Sequence, residues 1–287
     1  MRFSRFIKAA IIWSGLAPFV AHADFTRNIM LTGYWPQTNE MIRRFSNNSV
    51  QNPAGWIGRD WEGRGYDVYA FFPEFPKGLG RGVGDLEVDY QDTSEDFWRL
   101  TDEIDPLAII TFSRGSRSIQ PRWEIEWRQR NLSTWIDDFE APFQPTPSPP
   151  DASVPAGTIR FSSLPMEDIR DNINAAGIGV DAFIDQRGFG GRFVSEFIAY
   201  HGTWYHDLHA DPTDPAWNIA AGHVHVSFPM DLGPAIQATD ITLRTLTDYL
   251  DTRVPEPASA ALLASGLLLA YRRRGLRKPS RRSNRIR

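Results

Sequence analysis

Short apolar runs alternating with amphipathic helical stretches fill residues 28–250, and this alternation limits the fold more tightly than any other feature. Strands are predicted over 28–32, 66–72, 107–112, 123–131, 158–161, 180–184 and 221–228. β-Branched and aromatic residues are common in these runs, and Gly or Pro bounds many of them, as expected of buried strands. Helices are predicted over 93–103, 166–176, 191–208 and 232–250. The first carries acidic residues in its opening turn and is stopped by Asp105-Pro106. Strands interleaved with helices imply an α/β sandwich around a mostly parallel sheet. The Pro-rich stretch 143–155 reads as a surface loop. The glycines of 78–84 lack the strand-to-helix G-x-G-x-x-G arrangement, which argues against a phosphate loop.

The two ends of the 287-residue chain read as processing signals. Arg2, Arg5 and Lys8 precede an apolar run over 9–20, and Ala21-His22-Ala23 stands ahead of Asp24. A basic start, a short apolar stretch and an A-x-A site make a secretory signal over 1–23. At the other end, Pro255-Glu256-Pro257 precedes an apolar run over 258–270 and then Arg272-Arg273-Arg274. That run is short against the roughly 17–25 apolar residues of a spanning helix. Its flanking arginines would stay on the cytoplasmic side.

Between these signals, residues 24–253 hold 19 basic and 34 acidic side chains, a net charge of −15. Such a body argues against a nucleic-acid partner, because phosphate binding depends on basic patches. The chain has no cysteine, which excludes disulfides, thiolate metal sites and a thiol nucleophile. About 230 residues make one sizeable domain, whose stability must come from its core.

Ser195 falls in the first turn of a predicted helix, after a glycine-rich turn that follows a strand. A nucleophile there would stand at the C-terminal edge of the sheet, with nearby backbone N–H groups available to a developing oxyanion. The plainer reading is a polar residue of a first helical turn. His201, His206, His209, His223 and His225 all lie in one short stretch. In the strand 221–228, His223 and His225 share a face. Three roles stand for them: a general base toward a serine, hydrogen-bonded structural residues, or zinc ligands with Asp207, Asp211 and Asp214. The spacing matches no strong zinc signature. Glu124 and Glu126 share a face of the strand 123–131 and are candidates to orient an imidazole, or else partners of Arg122 and Arg128.

Several of these segments, in order, resemble pyroglutamyl peptidase I. Ile29 to Pro36 resembles the family's first strand and its "TGFEPF" turn, Phe71-Phe72-Pro73 its "LP" strand, and Phe161 to Pro165 its "TLP". Gly190 to Glu196 is similar to "AGTYVCN", which puts Ser195 where the catalytic cysteine stands. Gly222 to Val226 is similar to "GFIHVP", which puts His225 at the catalytic histidine. Gly115-Ser116-Arg117 resembles "AGGR", and Glu126 to Asn131 keeps the spacing of "ERVAIN", with Glu124 selected by a shift of the match. The resemblance implies a three-layer α/β/α sandwich of the phosphorylase/hydrolase-like kind. It also implies a Ser195, His225 and Glu126 (or Glu124) site with Tyr34, Trp35 and Arg117 at the substrate, and removal of N-terminal pyroglutamate without cofactor or metal.

The C-terminal arrangement resembles the PEP-CTERM sorting signal of Gram-negative bacteria. It implies recognition of Pro255, Glu256 and Pro257 by an exosortase-type enzyme, a transient membrane anchor, and delivery to the envelope or extracellular matrix. The resulting expectation is an exported hydrolase acting on an amide or ester. The alternative is a catalytically silent relative that binds a peptide or extracellular polymer.

Overall fold

The computed structural model describes residues 25–188 and 190–254. The segments read as the secretory signal and as the sorting motif, with its apolar run and basic tail, lie outside the described residues. Among the described residues, no helix is long and apolar enough to cross a membrane.

Among the described residues, eight strands and five α-helices follow in the order β1 (Asn28–Gly33), α1 (Pro36–Ile42), β2 (Asp67–Phe71), α2 (Tyr90–Ile104), β3 (Ala108–Arg117), β4 (Arg122–Glu126), β5 (Arg128–Arg130), β6 (Ile159–Phe161), α3 (Met166–Ala175), β7 (Asp181–Asp185), α4 (Val194–Leu208), β8 (Ala220–Phe228) and α5 (Leu232–Asp251). Six strands form the central sheet in the order β2-β1-β3-β8-β4-β7, while β5 and β6 pair separately. The run β2-β1-β3-β8 is parallel. β4 then joins β8 antiparallel, and β7 runs parallel to β4, so two strands at one edge are reversed.

Side-chain alternation divides the core between the two faces. Ile29, Leu31, Ile110, Val224 and Val226 pack with Met41, Ile169, Ile173, Leu243 and Leu246 of α1, α3 and α5. Met30, Ile109 and Ala221 pack the other way, against Phe97, Leu100, Phe197 and Ile198 of α2 and α4. Burial on both faces explains why these strands are nearly continuous apolar runs. The architecture is the expected α/β/α sandwich, with a mixed, mostly parallel sheet.

Several boundaries differ from the predictions, and β3 runs on to Arg117. α2 starts at Tyr90 because the Asp89 carboxylate accepts from the backbone N–H of Gln91 at 2.8 Å and Asp92 at 3.0 Å. α4 starts at Val194, since Gly191 has φ +87° and Phe193 is extended. The predicted strand 123–131 breaks at Trp127 into β4 and β5, so only its first half enters the main sheet. α1 was not predicted; it is short, with Pro36 at its first position and the Thr38 hydroxyl accepting from the Trp35 N–H at 3.1 Å.

α2 and α4 meet at a buried histidine. His201 donates from Nδ1 to the Phe197 carbonyl at 2.8 Å, and its Nε2 lies 3.1 Å from the Ser94 hydroxyl. Burial disfavours the imidazolium and pushes its pKa down to about 4. The unfolded chain takes up this proton near pH 6.5 and the folded one only near pH 4, so acid favours unfolding between those values. Stability is expected to fall by up to about 3 kcal/mol across that window on account of His201. Urea unfolding at stepped pH checks this; the fall should shrink in His201→Gln.

Candidate active site

The chemistry gathers where β3, β8 and β4 lie side by side. Their registers set Ser113 beside His225, His225 beside Glu124, and His223 beside Glu126. Period-two alternation then turns Thr111, Ser113, His223, His225, Glu124 and Glu126 toward the α2/α4 side. Between Arg114 and Arg117 the β3–β8 register shifts by one residue. Gly115 lies inside this bulge, where a Cβ would stand 3.0 Å from that of His225 and 3.2 Å from Glu124 Oε2. The strand therefore passes close over the site only because residue 115 has no side chain.

The two neighbouring histidines are held differently. His223 is fully buried with both ring nitrogens engaged, Nδ1 at 2.7 Å from the Thr111 hydroxyl and Nε2 at 2.8 Å from that of Ser113. Burial, then the neighbouring His225, pushes its pKa well below the usual range. It is a neutral structural imidazole. His225 packs edge-on against it, with ring centroids 4.5 Å apart. The Nδ1 of His225 lies 2.6 Å from Glu126 Oε1, and both residues are buried. Glu126 thus fixes the ring and leaves Nε2 for proton transfer.

Glu124 takes a secondary place. Its Oε1 accepts from the Ser116 hydroxyl at 2.9 Å, and burial raises its pKa despite that bond and the nearby His225. Ligand atoms of Glu124, Glu126 and His225 lie within 4.8 Å of one another, so this trio could hold a metal ion. The Asp207, Asp211 and Asp214 considered with the histidines are engaged elsewhere: Asp207 with Arg160, Asp211 with Thr213, and Asp214 with His209.

A cleft of about 270 Å³ opens at the α4 N-terminus. Tyr34, Trp35, Phe75, Phe139 and Phe193 wall it, and Ser113, Arg114 and Ser195 supply its polar atoms. Ser195, Tyr34 and Trp35 therefore share one cavity. The Ser195 hydroxyl donates to the Gly190 carbonyl at 2.9 Å, and it shares no hydrogen bond with His225. Glu196, next to it, is buried and spent on Arg130, accepting from that residue's backbone N–H at 2.7 Å. The same glutamate explains Gly190, where a Cβ would fall 2.6 Å from Glu196 Oε2.

Arg117 stands apart from this lining. It is exposed at the far end of β3, beyond the bulge and level with Phe228. Arg114 occupies the cleft instead, its guanidinium 5.2 Å from the Trp35 ring and 4.9 Å from Phe228. A motif match at Gly115-Ser116-Arg117 could not find it, because Arg114 lies just before the bulge and outside the matched residues. Strand period alone would put Arg117, with Thr111 and Ser113, on the site face, so no local signal points to Arg114.

The fold resembles that of solved peptidase structures. The pyrrolidone carboxyl peptidase of Thermococcus litoralis matches 81% of this chain and 98% of its own, at 15% identity and a TM-score of 0.56. The chain has the pyrrolidone carboxyl peptidase fold. The pyroglutamyl peptidase I of Bacillus amyloliquefaciens matches 78% of this chain and 96% of its own, at 16% identity and a TM-score of 0.52. The Pyrococcus furiosus pyrrolidone carboxyl peptidase gives 15% identity and a TM-score of 0.53, over 78% and 99% of the two chains. No protein-family model and no curated protein matches the sequence.

Proposed function

We propose that this protein is a serine hydrolase that cleaves an amide or ester by acyl transfer, with Ser195 as nucleophile, His225 as general base and acid, and Glu126 as the carboxylate that orients it. The observation that carries this reading is the buried Glu126–His225 hydrogen bond of 2.6 Å, set one strand from Ser113 in the wall of the Ser195 cleft. A buried carboxylate on Nδ1 selects the tautomer whose Nε2 accepts a proton.

In the first half-reaction Ser195 turns its hydroxyl from the Gly190 carbonyl and attacks the acyl carbon, while His225 Nε2 takes the proton. The leaving amine or alcohol receives that proton as its bond to carbon breaks. Water then attacks the acyl-serine, with His225 again as base, and serine is restored. Phe193 makes no side-chain cap on α4, so the first backbone N–H groups of that helix are available to the oxyanion. The fold and the position of Ser195 support an N-terminal pyroglutamyl peptide as the first substrate to try.

The terminal signals supply the proposed address: export through residues 1–23, then exosortase-type processing at Pro255-Glu256-Pro257 and delivery to the cell envelope.

Labelling by a fluorophosphonate probe tests the site. The probe should label the folded domain, and labelling should vanish in Ser195→Ala along with at least about 10³-fold of kcat on a reactive ester. A folded wild-type domain that takes no label would favour the silent, ligand-binding relative. Ser195→Cys on a pyroglutamyl reporter then reads the pocket alone: cleavage there would mean that the cavity still accepts the lactam.

A further inference from the structure

The cleft beside Ser195 carries a single charge. Of the twelve described residues that line it, Arg114 is the only basic or acidic one; the rest are aromatic, aliphatic, glycine or serine. The body around it is strongly acidic, with 34 acidic against 19 basic side chains over 24–253. Other arginines near functional segments are spent on carboxylates, such as Arg130 on Glu196 and Arg160 on Asp151 and Asp207. Among the described residues, the Arg114 side chain has no ion-pair or hydrogen-bond partner. It is held instead by stacking near Trp35 and Phe228, whose rings meet edge-to-face at 5.1 Å.

A guanidinium fixed on aromatic faces keeps its planar fork of donors free and loses little freedom on pairing. Arg114 is exposed at the cleft edge, where its fork of donors is reachable by an anion entering the cleft. We infer that the Ser195 cleft selects substrates with a carboxylate on the acyl group, which Arg114 clamps while the aromatic walls take the connecting carbons. The pocket is then a carboxylate-reading one. Arg114 directly precedes the Gly115 bulge, and the preceding residue, Ser113, pairs with His225, so the clamp is tied to the strand that borders the general base.

The inference rests on the hydrolase reading for turnover but not for binding, so the two are tested separately. Isothermal titration of wild-type protein with monomethyl succinate and with neutral dimethyl succinate reads the clamp without chemistry. The monoanion should bind about 10- to 100-fold more tightly, the worth of one charge-assisted pair. That preference should disappear in Arg114→Gln, persist in part in Arg114→Lys, and weaken with salt. In the kinetic arm, p-nitrophenyl hemisuccinate should exceed p-nitrophenyl butyrate in kcat/KM by a similar factor, with the Arg114→Gln loss confined to the anionic ester. Equal affinity for the two succinates, or a preference that survives Arg114→Gln, overturns the inference. Selective binding without turnover sustains it while refuting the serine hydrolase; turnover of both esters without selectivity does the reverse.

Discussion

Glu126→Gln is expected to lower kcat by about 10⁴-fold while the protein stays folded, because an amide at that position disturbs the His225 tautomer. The carboxylate oxygen 2.6 Å from Nδ1 can only accept, which places the ring proton on Nδ1 and leaves Nε2 basic. A glutamine can present its N–H₂ instead and force the proton onto Nε2, where it blocks abstraction from Ser195. Glu124→Gln is the matched control. Its carboxylate is bonded to Ser116, not to the imidazole, so the loss should stay under about tenfold. Steady-state kinetics on a reactive ester, with circular dichroism to confirm folding, checks the pair. A larger loss in Glu124→Gln would transfer the orienting role to that residue.

The largest stability loss expected of a substitution lies away from the site. Asp151, fully buried at the end of the Pro-rich stretch, accepts from Arg160 Nη2 at 2.8 Å, the Tyr200 hydroxyl at 3.1 Å and the Ser153 N–H at 3.0 Å. Its backbone N–H donates to Asn131 Oδ1 at 3.2 Å, and Asn131 Nδ2 returns a bond to its carbonyl at 2.8 Å. This network ties the loop to α4 and β6 with no disulfide to help. Asp151→Ala should cost about 2–3 kcal/mol, since it strips the Ser153 N–H and the Tyr200 hydroxyl of their acceptor and leaves the mostly buried Arg160 guanidinium only the half-exposed Asp207. Urea denaturation reads the loss as a lower midpoint at unchanged slope. A loss under about 1 kcal/mol would mean that water replaces the carboxylate.

Much of the fold was legible because burial on two faces leaves an uninterrupted mark. β1, β3 and β8 read as apolar runs, and the α3 and α5 boundaries follow from periodicity with glycine or proline nearby. β5 was not separable from β4, because Trp127 continues a plausible strand pattern while the backbone leaves the sheet. The short α1 carries too few residues to show a period. At the site, Ser195 was legible from its glycine-rich turn, and His225 from His-x-His on one face. Nothing local separated His223 from His225, since both share a face and flank Val224. Their partners separate them: two hydroxyls hold the first, and one carboxylate holds the second.

The sequence by itself determined an α/β chain without thiol chemistry, an acidic body over 24–253, and the order in which Ser195 and His225 follow along it. Those are properties of composition and period, which neighbours along the chain express. Tertiary structure decided the rest: Glu126 over Glu124 at the imidazole, and Arg114 over Arg117 in the cleft. Both choices depend on the antiparallel turn of β4 against β8 and on the one-residue bulge at Gly115. A single step of register moves every side chain to the opposite face, and only the packed sheet fixes that step.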